Sequence, residues 1–168
     1  MNILHYLHFL GAIFFNLYPF IIQKNKYDYF YVYIILLGNL CWLLFNGECF
    51  ISLILKKLEN KNYRLGNNVD SDDIKNILGV NLFNIFKYSN LILNSLSYTY
   101  IIYRNYYPKY LYIFLLFSII YGYIYITFEN QNKLNNYILF KIFKYIFIFI
   151  SIIFIILFSN YLYKNKKF

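Results

Sequence analysis

The sequence predicts an all-α polytopic membrane helix bundle with about five transmembrane helices, or four if residues 84–103 lie in the interface. Three observations carry that prediction. Of the 168 residues, 61% are hydrophobic and only 14% charged, whereas soluble domains run about 45–50% apolar and about 25% charged. Several uncharged apolar runs reach about 20 residues, the length that spans hydrocarbon. Finally, Lys and Arg flank those runs, where they meet lipid headgroups. The net charge of +9 is therefore not gathered on one soluble face. That distribution speaks against nucleic acid and for the lipid bilayer as partner.

The first run, residues 3–22, has no basic region before it and no small-residue cleavage site, so it reads as a retained span. The link "QKNKYD" is short enough only for a tight helical hairpin into the second run, residues 29–55. Residues 56–76 form the solvated loop, with Lys56, Lys57, Glu59, Lys61 and Arg64. Asp70, Ser71, Asp72 and Asp73 then precede apolar residues at helical spacing, which predicts a capped helix N-terminus. A calcium loop starting at Asp70 fails, because its sixth position is Lys75 instead of Gly and its twelfth is Asn81 instead of Glu.

That helix is expected to run on into residues 84–103, the most polar span, with Lys87, Asn90, Asn94, Ser95 and Ser97. Pro108 suits the start of the next span, residues 109–128, where Glu129 reads as a boundary residue. The last span, 138–162, is almost pure Ile, Phe and Leu, and a basic tail with Lys164 and Lys166 anchors its end. With five crossings, nine of the sixteen Lys and Arg fall on the N-terminal side (Lys56, Lys57, Lys61, Arg64, Lys75, Lys87, Lys133, Lys141 and Lys144). The positive-inside bias then favours a cytosolic N-terminus.

Polar residues inside the first two spans fall into stripes. His5, His8, Ala12, Asn16 and Pro19 are spaced 3, 4, 4 and 3 and share one helical face. In the second span Asn39, Trp42, Asn46 and Cys49 form one stripe, and Cys41, Phe45, Glu48 and Ser52 lie beside it. Folding 3–22 onto 29–55 as an antiparallel hairpin predicts a polar seam in which Asn16 meets Asn39, His5 meets Cys49 and His8 meets Glu48. Such bonds hold membrane helices together at about 0.6 kcal/mol each. An ionisable residue inside a span also marks a site by default. His5, His8, Glu48 and Cys49 together would suit zinc or iron, but Glu48 and Cys49 are neighbours about 100° apart on a helix and do not aim at one ion. Whether the seam holds a metal stays open; a proton relay through Glu48 and His8 is the chemically easier use.

Cys41 and Cys49, eight residues or about 12 Å apart on one helix, cannot bond to each other. No Gly-rich phosphate loop, CxxC or HExxH occurs, and no cofactor is expected. The chain therefore reads as a non-enzymatic membrane protein acting through protein or lipid contacts. A metal or redox enzyme at the seam and a small proton or ion channel are the alternatives. Nothing in the sequence specifies a membrane-protein partner or a homo-oligomer.

The early His residues, then "NGECFIS" and "LKKLENKNYRLG", all within the first 66 residues, resemble small uncharacterised multi-span proteins of large DNA viruses. That resemblance implies a viral or host membrane and no activity. The layout is also similar to a bacterial family of unknown function. In that family an early membrane His precedes a Cys-Pro-Leu-Thr motif and a later Glu, where this chain has Cys49, Phe50, Ile51 and Ser52 without the Pro, and then Glu59.

Overall fold

A computed structural model describes residues 3–65, 71–128, 134 and 137–165. Asp70, Glu129, Lys133 and Lys166 lie outside the described residues. The described chain is helical and contains six helices: α1 (Ile3–Ile21), α2 (Asp28–Leu44), α3 (Phe50–Glu59), α4 (Asp72–Asn105), α5 (Tyr110–Thr127) and α6 (Ile138–Lys164).

Three of these, α1, α5 and α6, are long and apolar enough to cross a membrane; α2 is apolar but has only 17 residues. The other two of the five expected spans do not meet that measure of length and hydropathy, for two physical reasons. The run 29–55 is not one helix: the chain leaves α2 at Leu44, and α3 starts at Phe50. The break sits at Asn46 and Gly47, both at positive φ (54° and 87°), a conformation that side chains other than Gly and Asn seldom adopt. A Cβ on Gly47 would land on the Tyr125 ring, so that position also requires glycine for space. Residues 84–103 lie in the second part of the 34-residue α4, after a non-helical Gly79 (φ 75°), and their polar side chains keep that stretch out of the apolar set.

The helix neighbours follow from cross-helix contacts. Asp73 lies by His8, Asn90 by Asn16, and Arg104 by Pro19, so α1 and α4 run side by side in the same direction. In α2 the course is reversed, with Asp28 at Arg104 and Trp42 near Leu91 and Gly122. Returning from Tyr110, α5 ends with Tyr125 bonded to the Asn46 carbonyl, and α6 retraces the path with Phe140 on Tyr121 and Phe154 on Tyr110. Five helices thus run the length of the bundle and the short α3 closes one end.

Between α2, α4, α5 and α6 lies a core rich in aromatic rings. Leu36, Tyr98, Leu111, Phe114, Phe147 and Phe158 are fully buried there, and Phe114, Phe117 and Tyr121 pack on Phe143, Phe147 and Phe154 through stacked and edge contacts. The outside is apolar as well. Ile3, Leu7, Leu10 and Phe14 on α1 and Ile142, Ile146, Phe149 and Ile156 on α6 are all exposed. Soluble monomers rarely carry such a continuous apolar surface.

Candidate functional site

The polar stripe of α1 faces inward: His5, His8, Asn16 and Pro19 are its buried residues. What it faces is α4 and α3, and the hairpin seam is not formed. Asn16 does not meet Asn39; its amide donates to Asn90, and the hydroxyl of Ser97 donates to the Asn16 carbonyl. Asn39 turns its amide back to the carbonyl of Ile35, one turn earlier on its own helix, at 2.9 Å. His5 lies by Glu59 at 2.9 Å, away from Cys49. Glu48, fully buried, accepts a 2.6 Å hydrogen bond from Tyr63 and does not meet His8. Asn46 holds the amine of Lys144, and its carbonyl takes the Tyr125 hydroxyl.

The physical reason is the break at Asn46 and Gly47. A register drawn on a continuous helix puts Glu48 opposite His8. The turn rotates the chain so that the next residue, Cys49, takes that place. Around the break, Trp42 donates its indole N–H to the Gly47 carbonyl, which pins the turn to the end of α2.

At this end three groups line up in sequence. The Nδ1 of His8 is bonded to the Oδ2 carboxylate oxygen of Asp73, and the Nε2 on the other side of the ring faces the Cys49 sulfur at 3.4 Å. Ser52 donates to the second oxygen of Asp73 at 2.8 Å. Asp73 is therefore not a helix cap: Ser71 stands at the N-cap with no side-chain cap bond, and the Asp73 carboxylate, 5% exposed, is committed to His8 and Ser52. An oriented imidazole between a carboxylate and a thiol is the arrangement that activates a cysteine nucleophile.

The electrostatics agree. Burial opposes ionisation of Asp73, but the hydrogen bond and charge of His8, with the Ser52 hydroxyl, outweigh it and hold the carboxyl below its usual range. Burial likewise raises the Cys49 thiol; His8 and the backbone N–H groups of Ser52 and Ile51 outweigh it, so the thiol lies below its ordinary value. Cys49 is the N-cap of α3, where the helix dipole favours a thiolate.

This trio opens on a cavity of about 620 Å³ between α2 and α4, within the range of ordinary ligand pockets. His8 and Cys49 stand at one end, and Gly38, Leu37, Leu91 and Leu115 line its length. The Asp73 side of the trio was beyond sequence reasoning, because Asp73 lies 65 residues from His8. The signal for the turn was present in Asn46-Gly47, the one Asn-Gly pair in the chain.

At the opposite end lies a second buried polar cluster, formed by residues that read as link positions in the sequence. Arg104 clasps Asp28 through Nε (2.9 Å) and Nη2 (2.7 Å), while its Nη1 donates to the carbonyls of Pro19 (2.6 Å) and Ile22 (2.8 Å). Asn105 and Tyr18 complete the shell of Asp28, at 2.8 and 3.0 Å.

Among the described residues no three His, Cys, Asp or Glu side chains converge as a ligand set. His8 spends one ring nitrogen on Asp73, and His5 and Glu48 point to other partners. No protein-family model, curated protein or solved structure matches this chain.

Proposed function

We propose that this chain is a multi-pass integral membrane protein that receives a lipid chain in the cleft between α2 and α4 and acts through lipid and protein contacts. The observation that carries this reading is the cleft itself. Beyond the break at Gly79 it runs along α4 from Phe83 to Ser95, about 18 Å at helical rise, which suits an extended hydrocarbon tail. Of its polar liners, Asn39 and Ser95 bond their own helix carbonyls and Asn90 holds Asn16, while Lys87, Asn94 and the unbonded hydroxyl of Ser118 add a few polar points along an otherwise apolar wall. In this reading α2 and residues 80–105 cross the bilayer as inner companions of α1, α5 and α6, with the N-terminus in the cytosol. The distribution of basic residues supports that orientation. The membrane is a viral or host one if the likeness of the first 66 residues is followed.

Trp42, the single tryptophan of the chain, lines the cleft and reports on it. Brominated fatty-acyl lipid in proteoliposomes should quench Trp42 strongly. Gly38→Leu, at a glycine with open space around its Cα, should fill the cleft and remove most of that quenching while leaving the fold intact. Equal quenching in both proteins would count against a lipid site. Cysteine labelling from either side at Lys26 and Lys57 checks the crossings, since the two positions should label from opposite faces.

A further inference from the structure

Two thiols line the same cleft, Cys41 and Cys49. Their surroundings differ. Cys49 faces the Nε2 of His8, whose Nδ1 is held by Asp73, and it sits at the first turn of α3. Among the described residues Cys41 has no such partner. We propose that Cys49 is a self-acylation site that takes a long-chain acyl group from an acyl thioester with an anionic head, with His8 as proton carrier and Asp73 as its positioning residue. This rests on the lipid-cleft reading above.

The chemistry follows from the geometry. His8 accepts the thiol proton of Cys49, and the sulfur adds to the thioester carbonyl. Backbone N–H groups at the start of α3 lie beside the sulfur, where they stabilise the oxyanion that forms. As the intermediate collapses, the bond to the departing sulfur breaks and that thiolate takes the proton from His8. One thioester is exchanged for another, so no oxidant, reductant or further reactant is needed. Asp73 fixes the ring so that Nδ1 carries hydrogen and Nε2 is left to face the sulfur.

The apolar cleft and the basic charge exposed at the α3 end of the bundle point to the donor. The acyl chain lies along α2 and α4, with Leu37, Gly38 and Leu115 against it. The head remains outside, at the end of the bundle where Lys57, Lys61, Arg64 and Lys141 are exposed. A phosphorylated carrier such as coenzyme A matches that charge.

The test uses the full chain in detergent or proteoliposomes, incubated with palmitoyl-coenzyme A and followed by intact mass and hydroxylamine release. One palmitoyl thioester at Cys49 is expected. Cys49→Ser should lose the hydroxylamine-labile adduct and Cys41→Ala should keep it. His8→Gln should slow acylation by about 100-fold or more. Asp73→Asn should shift the pH profile of Cys49 alkylation by iodoacetamide upward, a change that loss of packing alone does not produce. Because either variant could unfold, quenching of Trp42 by brominated lipid is read in parallel, and its retention certifies the fold.

A palmityl thioether of coenzyme A, which cannot be attacked, separates the two readings. Binding of the thioether with no acylation of the wild type would overturn the nucleophile and leave the cleft standing. No binding of either compound would overturn both. Acylation of Cys41 at the same rate as Cys49, or an unchanged rate in folded His8→Gln, would also overturn the proposal.

Discussion

The two ends of the bundle each bury a carboxylate beside a cation-forming side chain, yet they are built differently. At the arginine end Asp28 is 0% exposed, and its oxygens are met by Arg104, Asn105 and Tyr18. Arg104 uses its remaining reach on the carbonyl of Pro19 in the last turn of α1 and on that of Ile22 just past its end, where helix carbonyls lack intrahelical partners. Nothing in that cluster is left over for a ligand. At the cysteine end the carboxylate holds a histidine, the histidine faces a thiol, and the thiol opens on a cleft. One network closes on itself and joins α1, α2 and α4; the other ends in a reactive atom. In this bundle a buried charge marks a candidate site where its chain of partners is open at one end.

That contrast can be broken at either end. The largest effect is expected from Arg104→Leu, which leaves Asp28 buried without its charge partner and should destabilise the protein by about 3–5 kcal/mol. Adding Asp28→Leu should recover much of the loss. Unfolding in mixed micelles measures both, and a loss below about 1 kcal/mol would show that the arginine end is not the structural one.

Next comes Gly47→Ala. Strain at positive φ and overlap with the Tyr125 ring together should cost about 2–4 kcal/mol. Because the turn aims Cys49 at His8, the variant should also label more slowly with iodoacetamide. Unchanged labelling would mean that the turn does not position the thiol.

Asp73→Asn should cost about 1.5–3 kcal/mol, the range for a hydrogen bond to a charged group. The sign of its pH dependence follows from the lowered carboxyl. The Asp73 contribution is fully present above the ordinary value of 3.8 and is lost as the pH falls through the lower folded value. Wild type should therefore lose stability below about pH 4 in a step that the variant lacks. Identical acid limbs would show that the His8–Asp73 contact adds nothing.

The smallest change is Tyr63→Phe, which removes the donor to Glu48. A loss of about 1 kcal/mol is expected, with iodoacetamide labelling of Cys49 unaffected, because Glu48 lies outside the trio. A slower thiol in this variant would bring Glu48 back into the site.

The apolar helices and the buried face of α1 were legible in local pattern, whereas the break inside 29–55 was not read from it. Long apolar runs made α1, α5 and α6, with charge in α6 confined to lysines near its two ends, and a spacing of three and four placed His5, His8, Asn16 and Pro19 on the buried side of α1. These follow from local terms, chain length against hydrocarbon thickness and the period of the helix. Neighbours were decided only by the tertiary structure. Periodicity says which face of a helix is buried and nothing about which helix covers it, so the short link after α1 pointed to α2. In the fold α4 lies along α1 instead, bringing Asn90 to Asn16 and Asp73 to His8. The turn at Asn46 and Gly47 belongs to both levels. Its Asn-Gly pair is a local signal, but the flanking apolar residues carry hydropathy straight through it. Tyr125 from α5, Lys144 from α6 and Trp42 from within α2 hold that turn in the orientation that sets Cys49 against the imidazole.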